Sequence, residues 1–295
     1  MFSGIITPIM TPFYRDDKQA INYEATKKLI DYVIENGVSG IFILGSNGEF
    51  PVITYDEKIE FTKKVVEFVN HRVPVYAGPG ACSTQETICL AQEMEKIGVD
   101  ALSVISPYFV KLTEDELANH FKMVAESVNI PVILYNIPRM TGNSITKYVF
   151  EKVASIPNVA GIKDSSRDID NLKDYLEVAK KYNLSVLIGS DGIIAQGYRM
   201  GASGAIAGMS NVIPKLMSDM FTALENHDEE KADQLQEEVN YIRTVNKKAT
   251  MPVVLKRALE LGGIAEAGPA RLPVSECSPE LDEEIREMLK HYKLI

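Results

Sequence analysis

The sequence predicts an α/β protein, a (β/α)₈ barrel with a C-terminal helical extension, from two observations. First, eight short apolar runs rich in β-branched residues recur along the first two thirds of the chain. Each is continuous rather than alternating, which is typical of parallel strands covered on both faces. Second, helix signals occupy the intervals between them. The eight runs are Gly4–Ile6, Gly40–Leu44, Val73–Ala77, Ala101–Ile105, Pro131–Leu134, Val159–Ile162, Ser185–Ile188 and Gly204–Ala207.

The helix signals are capping boxes and an apolar stripe. Three Ser/Thr-x-x-Glu pairs stand just after predicted strands: Thr54 with Glu57, Ser83 with Glu86, and Thr113 with Glu116. One interval also carries an apolar stripe at helical spacing, made of Leu117, Phe121, Val124 and Val128. Strand and helix therefore alternate, which favours a closed barrel. An open doubly wound sheet stays an alternative, because periodicity does not show closure.

The last part of the chain has only helical patterns. We expect a barrel with the active site over residues 1–224 and a helical extension packed on it over residues 225–295. Within the extension, Glu229–Asn246 and Val253–Leu261 are predicted helices, and Leu281–Tyr292 is the last one. Three prolines are expected to break the chain before this last helix: Pro269, Pro273 and Pro279.

Composition argues against several classes of function. The 295 residues carry a formal net charge of −10, which argues against binding to nucleic acid. No apolar stretch approaches the length of a membrane span, and the N-terminus lacks the features of a signal peptide, so a cytoplasmic protein without a membrane partner is expected. The three cysteines and four histidines are scattered, which predicts free thiols and no metal site.

Active sites of such barrels lie at the carboxyl ends of the strands, and two side chains there are chemically unusual. Lys163 follows an interior apolar run, so its side chain is expected to be buried. A buried lysine has a lowered pKa, and its neutral amine can attack a carbonyl. An ion pair with Asp164 would explain a lysine at this position equally well. Tyr135 could pass protons beside it, or simply be a packed ring. The Gly45–Gly48 turn could hold a carboxylate, or only join a strand to a helix.

Three motifs containing these residues resemble a known superfamily. They are GSNGEF at Gly45–Phe50, YNIPRMTG at Tyr135–Gly142 and GIKDSS at Gly161–Ser166. In this order and spacing they resemble the dihydrodipicolinate synthase/N-acetylneuraminate lyase superfamily, and the similarity covers essentially the whole chain. The resemblance implies a (β/α)₈ barrel, a homotetramer built as a dimer of dimers, and no metal or organic cofactor.

The resemblance also implies roles for individual residues. Lys163 is expected to form a Schiff base with pyruvate, and Tyr135 to relay protons. The turn that binds the pyruvate carboxylate is expected to consist of Gly45, Ser46, Asn47 and Gly48. The substrates would be pyruvate and an aldehyde, and the enzyme a carbon–carbon lyase of the aldolase type.

Departures from the usual motifs bear on the substrate. Synthases of the superfamily usually have an arginine where this chain has Met140, although Arg139 stands one residue earlier, and two threonines where Ser46 and Asn47 stand. They often have a second relay tyrosine where this chain has Phe109. These changes weaken the synthase interpretation.

Other departures concern the lyases. N-acetylneuraminate lyases usually have a Ser-Thr pair in the turn and an Asp-Glu pair after the seventh strand, whereas this chain has Ser46-Asn47 and Asp191-Gly192. The motifs look more like the 2-keto-3-deoxy-gluconate aldolase and 4-hydroxy-2-oxoglutarate aldolase branches.

The favoured hypothesis is therefore a class I aldolase that cleaves or forms a 2-keto-3-deoxy sugar acid. Dihydrodipicolinate synthase and N-acetylneuraminate lyase are the alternatives, and a non-catalytic barrel that binds a keto acid is an alternative of another class. We expect five further residues to contact substrate: Tyr108, Arg139, Asp191, Ile206 and Ser210.

Overall fold

The computed structural model describes residues 2–295, and its strands form one closed parallel barrel in chain order. The first strand pairs with both the second and the eighth, which closes the sheet and confirms the barrel over the open alternative. The strands are β1 (Gly4–Pro8), β2 (Gly40–Ile43), β3 (Val75–Ala77), β4 (Ala101–Ile105), β5 (Val132–Asn136), β6 (Val159–Asp164), β7 (Ser185–Ile188) and β8 (Gly204–Ile206).

Helices follow the strands and surround the barrel. They are α1 (Tyr23–Glu35), α2 (Tyr55–Val69), α3 (Thr84–Ile97), α4 (Glu114–Glu126), α5 (Pro138–Thr141), α6 (Lys147–Val153), α7 (Ile169–Tyr182), α8 (Ile194–Met200), α9 (Pro214–Glu225), α10 (Glu229–Asn246), α11 (Val253–Leu261) and α12 (Pro279–His291). Over residues 2–295, none of them combines the length and the apolar character that crossing a lipid bilayer requires.

The predicted capping residues begin the predicted helices. Thr54 and Thr113 each form a reciprocal capping box with the glutamate three residues later, at the start of α2 and α4. The Ser83 hydroxyl caps α3 by accepting the Glu86 N–H at 3.2 Å, but the return bond is not formed within residues 2–295. These caps satisfy N–H groups that the first helical turn leaves unpaired.

Two strands extend beyond the apolar runs that predicted them. The structure continues β5 to Asn136 and β6 to Asp164, where the sequence predicts ends at Leu134 and Ile162. The polar ends remain in the sheet because Asn136 pairs with Asp164 in register and donates from Nδ2 to its Oδ1 at 2.9 Å. Shifts of one or two residues also occur at the ends of β1, β2, β3 and β8.

The last helix begins earlier than predicted. It starts at Pro279 instead of Leu281, so this proline opens the helix and does not break the chain before it. Proline is tolerated in the first turn because the N–H it lacks would have no partner there. Ser278 caps the helix by accepting the Leu281 N–H at 3.3 Å.

Apolar side chains fill the interior of the barrel. A separate buried cluster lies inside it, distinct from the large core between the strands and the helices, and consists of Ile6, Phe42, Tyr76, Ala101, Ile133, Leu187 and Ile206. The barrel is therefore a packed core, and a substrate can enter only above it, at the carboxyl ends of the strands.

The C-terminal helices pack on this end of the barrel through α10. Gln236 of α10 donates to the Asp191 carbonyl at 2.9 Å and accepts the Ala195 N–H at 3.0 Å, so it ties the helix to the loop after β7. Helices α11 and α12 pack against each other beside α10.

The predicted boundary between barrel and extension, between residues 224 and 225, falls at the end of α9, which ends at Glu225. The division into these two parts stays a prediction.

A buried ion pair joins the extension to the turn after β2. Lys256 of α11 and Glu49 are 1% and 7% exposed, and Nζ lies 2.6 Å from Oε1. Lys256 also donates to the Pro269 carbonyl at 2.8 Å, and the other Glu49 oxygen accepts the Arg271 N–H at 2.8 Å. Removing one partner would leave the other charge buried and unpaired, which is more costly than removing both.

We expect Glu49→Gln to lower the free energy of unfolding by about 3 kcal/mol, because Lys256 would stay buried without its counter-charge. Urea titration measures this change. The matched control is Asp219→Asn, which removes an exposed pair with Lys215 and should cost less than about 1 kcal/mol. The double variant Glu49→Gln/Lys256→Met should be more stable than the single one. An equal loss of stability in all three variants would mean that the effect of Glu49→Gln does not come from breaking the buried ion pair.

One histidine is buried in its neutral form between two barrel helices. His120 of α4 is 3% exposed, and its Nδ1 lies 2.9 Å from the Thr84 hydroxyl of α3. Burial lowers the pKa of His120 from 6.5 to about 4. The unfolded chain therefore binds a proton between pH 6.5 and 4 that the folded protein excludes, so the stability that this neutral histidine contributes is lost as the pH falls through that window.

Lowering the pH from 7.5 to 5 should therefore cost the wild type about 2 kcal/mol more than it costs His120→Asn. Urea titrations of both proteins at the two pH values measure the difference. His71→Asn, which makes the same substitution at an exposed histidine, is the matched control. An identical pH response of the wild type and His120→Asn would mean that the buried ring is protonated in the folded state.

Candidate active site

Lys163 and Tyr135 lie side by side at the top of the barrel. They are opposite each other in the register of β6 and β5, and both side chains are buried, with 4% and 3% exposed. The Lys163 Nζ atom lies 3.8 Å from the centre of the Tyr135 ring and 5.0 Å from that of Phe42. Neighbouring residues of parallel strands point the same way, so the register itself places the amine beside the phenol.

This environment favours a neutral amine. Burial lowers the pKa of Lys163 from its usual 10.5, and the negative charges that Tyr135 and Asp191 can carry oppose this only in part. Burial raises the pKa of Tyr135, but the charge of Lys163 and a hydrogen bond with Ser46 outweigh it, so that pKa is lowered overall. The shift of Tyr135 therefore applies when Lys163 carries its proton, and that proton can then pass between the two groups, as imine formation requires.

Asp164 does not neutralise Lys163. Adjacent residues of a strand face opposite sides, and Asp164 turns away from the cavity. Its carboxylate accepts from Asn136 Nδ2 at 2.9 Å, from the Ser166 N–H at 3.0 Å and from the Ser166 hydroxyl at 2.8 Å. Within residues 2–295 Lys163 forms no salt bridge. The ion pair with Asp164, which would have given Lys163 a purely structural role, is therefore not formed.

The turn after β2 brings a hydroxyl to the phenol. Ser46 Oγ lies 3.3 Å from Tyr135 Oη. Gly45 permits this approach, because a Cβ at that position would lie 2.5 Å from the Phe42 ring. The turn closes through the Gly48 N–H, which donates to the Gly45 carbonyl at 3.0 Å, and Asn47 lines the same cavity as Ser46.

The structure brings most of the predicted site residues to one cavity. Arg139 and Ile206 line it together with Lys163, Tyr135 and Asp191. One Asp191 oxygen accepts the Met209 N–H at 3.0 Å, so part of this carboxylate holds the loop after β8. Burial raises the pKa of Asp191.

Two predicted contact residues lie elsewhere. The Ser210 hydroxyl is fully buried and donates to the Ala207 carbonyl at 2.7 Å, with the Thr7 hydroxyl at 2.8 Å; it does not line the cavity. Its hydrogen-bonding capacity is already used inside the protein. Tyr108 lines a neighbouring, more apolar cavity with Phe50. Both therefore lie outside the Lys163 cavity.

Several lining residues were missed by the sequence analysis. They are Pro8, Ile137, Ser165, Arg167, Gly189, Ser190, Gly208, Met209, Arg243, Asn246, Lys247 and Met251. Gly189 makes room for the lysine, since a Cβ there would lie 2.9 Å from Lys163 Cε. Arg243 lies in α10 and Lys247 directly follows it; the charged, amphipathic pattern of this segment indicates a helix but not the surface that the helix covers. Within residues 2–295, no three metal-binding side chains are grouped.

Comparison with known proteins agrees with this geometry. The model of the dihydrodipicolinate synthetase family matches residues 1–292. The chain belongs to this family. It is 35% identical over 292 residues to a 4-hydroxy-tetrahydrodipicolinate synthase of Methanoculleus marisnigri, and the match covers 99% of this chain and 100% of the relative. The resemblance expected from the three motifs is thereby confirmed at the level of the family, while the sugar-acid aldolase branch is not shown.

Solved structures of the family have the same fold. The dihydrodipicolinate synthase of Thermotoga maritima superposes with a TM-score of 0.95 at 30% identity, covering 100% of both chains. YagE, a prophage protein of the family from Escherichia coli determined in complex with pyruvate, gives 0.94 at 31% identity, again over 100% of both chains. The barrel with its C-terminal helices and the expectation of a Schiff-base lyase enzyme are confirmed.

Proposed function

We propose that Lys163 forms an imine with pyruvate and that the enzyme then joins the resulting enamine to an aldehyde, or runs the reverse cleavage. The observation that carries this is the buried amine 3.8 Å from the Tyr135 ring, without an ion-pair partner within residues 2–295. The amine attacks the keto carbon and water leaves; loss of a methyl proton gives the enamine, with the protonated imine as electron sink. Tyr135 carries the protons.

The turn after β2 is the proposed site for the pyruvate carboxylate. The N–H groups of Ser46 and Asn47 donate to no protein acceptor within residues 2–295. Backbone N–H groups in such a turn suit an anion. The strand β2 lies across the closed barrel from β6, so a carboxylate at this turn would leave the rest of the cavity, above β5 to β7, for the aldehyde.

For the aldehyde we propose aspartate semialdehyde first, as in the synthases. The names of the relatives support this, and so does Arg139, which lines the Lys163 cavity. One of the three sequence departures that argue against a synthase is the missing arginine at Met140; the other two, Ser46-Asn47 and Phe109, remain. An arginine one residue earlier can supply the same positive charge, and Met140 instead lines the neighbouring apolar cavity. The missing arginine at Met140 therefore does not exclude a synthase.

Cleavage of a 2-keto-3-deoxy sugar acid is the second candidate. It is favoured by Asp191 and Asn47, which line the cavity and can bind hydroxyl groups.

The homotetramer implied by the resemblance also stays a prediction. Light scattering of the purified protein would test it.

A parallel assay separates the two reactions. One arm measures condensation of pyruvate with aspartate semialdehyde, and the other measures pyruvate release from 2-keto-3-deoxy-gluconate, 4-hydroxy-2-oxoglutarate and N-acetylneuraminate. A kcat/KM for condensation at least tenfold above every cleavage value supports the synthase. The opposite order supports the sugar-acid aldolase.

A further inference from the structure

Glu49 combines a backbone conformation and a degree of burial that are both unusual for a glutamate. It directly follows the Gly45–Gly48 turn, its φ is 56°, and only 7% of it is exposed. The left-handed region of φ favours glycine, and a charged side chain is rarely buried unless it is paired. Glycine would relieve the backbone and an apolar residue would relieve the burial, so the carboxylate itself contributes something at this position.

The backbone of Glu49 helps to set the direction of the free N–H groups in the turn. Its N–H donates to the Ser46 carbonyl at 3.2 Å. In a trans peptide the C=O and N–H point in opposite directions, so the peptide that turns the Ser46 carbonyl toward Glu49 aims the Asn47 N–H away from it. The bond accepted by the Gly45 carbonyl orients the Ser46 N–H in the same way. Both N–H groups are therefore left for an acceptor outside the turn, where Ser46 and Asn47 line the Lys163 cavity.

The side chain of Glu49 is held by the C-terminal extension at both carboxylate oxygens. One oxygen lies 2.6 Å from Lys256 Nζ, and the other accepts the Arg271 N–H at 2.8 Å. The Lys256 amine is fixed in turn, because it donates to the Pro269 carbonyl at 2.8 Å and lies 4.2 Å from the centre of the Phe13 ring. The extension thereby holds Glu49 in one place.

A buried ion pair is better suited to fixing a position than to adding stability. Two apolar residues of similar volume often stabilise a protein as well or better, because both charges of a buried pair lose their hydration. The pair is, however, sensitive to distance and direction, so a turn attached to it is held in one position. From the barrel, the Thr11 hydroxyl donates to the Gly48 carbonyl at 2.8 Å and holds the other end of this contact.

We infer that Glu49 is a positioning residue for pyruvate: held by Lys256 and the Arg271 N–H, it keeps the N–H groups of the turn aimed at the pyruvate carboxylate. This rests on the proposed function. Glu49, Lys256 and Arg271 do not line the Lys163 cavity, so they act on pyruvate only through the turn. The C-terminal extension thereby takes part in binding a substrate that these residues do not touch.

The test compares pyruvate with pyruvamide, a neutral keto amide of nearly the same shape. The rate of borohydride labelling of Lys163 is measured over a range of concentrations of each compound, which gives a half-saturating concentration and a maximal rate. The wild type should be half-saturated by at least tenfold less pyruvate than pyruvamide. Glu49→Gln should raise the half-saturating concentration of pyruvate about tenfold, because misaligned N–H groups bind a charged acceptor less well. The value for pyruvamide and both maximal rates should change less than threefold.

Two further variants separate positioning from stability. Glu49→Gln/Lys256→Met removes both buried charges, so it should recover stability in urea titration yet keep the raised half-saturating concentration of pyruvate; it carries the test if the single variant does not fold. Glu260→Gln breaks ion pairs with Arg15 and Arg257 in the same extension without touching the turn. It should lower stability and leave both half-saturating concentrations unchanged.

The outcomes separate this inference from the proposed function. No labelling of the wild type by either compound would overturn both. Labelling without a preference for pyruvate over pyruvamide, an unchanged value for pyruvate in Glu49→Gln, or equal shifts for both compounds would overturn the inference alone. The same selective shift in Glu260→Gln would also overturn it, as would recovery of stability and pyruvate binding together in the double variant, because the defect would then follow from instability.

Discussion

Lys163→Ala is expected to lose at least about 10⁴-fold in kcat/KM and all covalent labelling by pyruvate and borohydride. The physical reason is that the proposed route runs entirely through the imine, and removing a covalent nucleophile removes that route rather than slowing it. The fold should survive, because alanine takes away a buried amine that has no ion-pair partner within residues 2–295. Circular dichroism and thermal melting check that the variant is folded.

Mass spectrometry of the labelled peptide decides which lysine reacts. In the wild type the reduced adduct should lie on Lys163 alone. The cavity offers a matched control, because Lys247, directly after α10, lines it as well but is exposed. Lys247→Met should keep the adduct on Lys163. An adduct on Lys247, or labelled Lys163→Ala, would show that a different amine carries the chemistry.

The environment of Lys163 explains why an amine that is ordinarily protonated at neutral pH could react here. Its pKa is lowered by burial, and Asp164, the acid next to it, is engaged on the other face of the strand. In the proposed mechanism, the strand alternation that turns Asp164 away therefore helps to keep the amine uncharged. Had the two side chains faced the same way, an ion pair would have held the amine in its charged form.

The sequence located the strands well because continuous apolar runs mark buried parallel strands. It did not place their upper ends, since Lys163 and Asp164 are polar and join β6 only through pairing with β5 and β7. The register that sets Tyr135 opposite Lys163 depends on how the barrel closes, and periodicity within one strand carries no information on that. Their positions at predicted strand ends made Lys163 and Tyr135 candidates, with an ion pair and a packed ring as alternatives, and the motif resemblance then implied the role of each.

Long-range contacts explain why the sequence did not show where Ser210 and Arg243 lie relative to the cavity. Ser210 was a reasonable choice at a strand end, but its hydroxyl is taken up by Thr7 and Ala207, and Thr7 is 203 residues away in the sequence. For Arg243, the local helix was predicted but its tertiary contact was not. The bounds of its helix were predicted correctly, yet the docking of α10 over Gly192 could not be, because amphipathicity shows that a face is buried but not against what.

Tyr135→Phe tests the proton relay with the smallest possible change. The substitution keeps the ring, which packs edge-on against Phe42 with centroids 6.5 Å apart and lies under the Lys163 amine. It removes only the hydroxyl, which lies 3.3 Å from Ser46 Oγ. Because positioned acid–base groups contribute about 10²- to 10⁴-fold, kcat should fall by that factor while the melting temperature stays nearly unchanged.

The control for this variant is Tyr108→Phe, which removes the same group from the neighbouring cavity and should leave kcat within a few-fold of the wild type. Borohydride labelling adds a second readout. Since Lys163 is still present, Tyr135→Phe should reach full labelling by pyruvate, but more slowly, because carbinolamine dehydration lacks its proton donor. Normal kcat in Tyr135→Phe together with a large loss in Tyr108→Phe would move the relay to Tyr108. Equal losses in both would mean that the two phenols act in one chain, and normal kcat in both would leave the protons to a group other than either tyrosine.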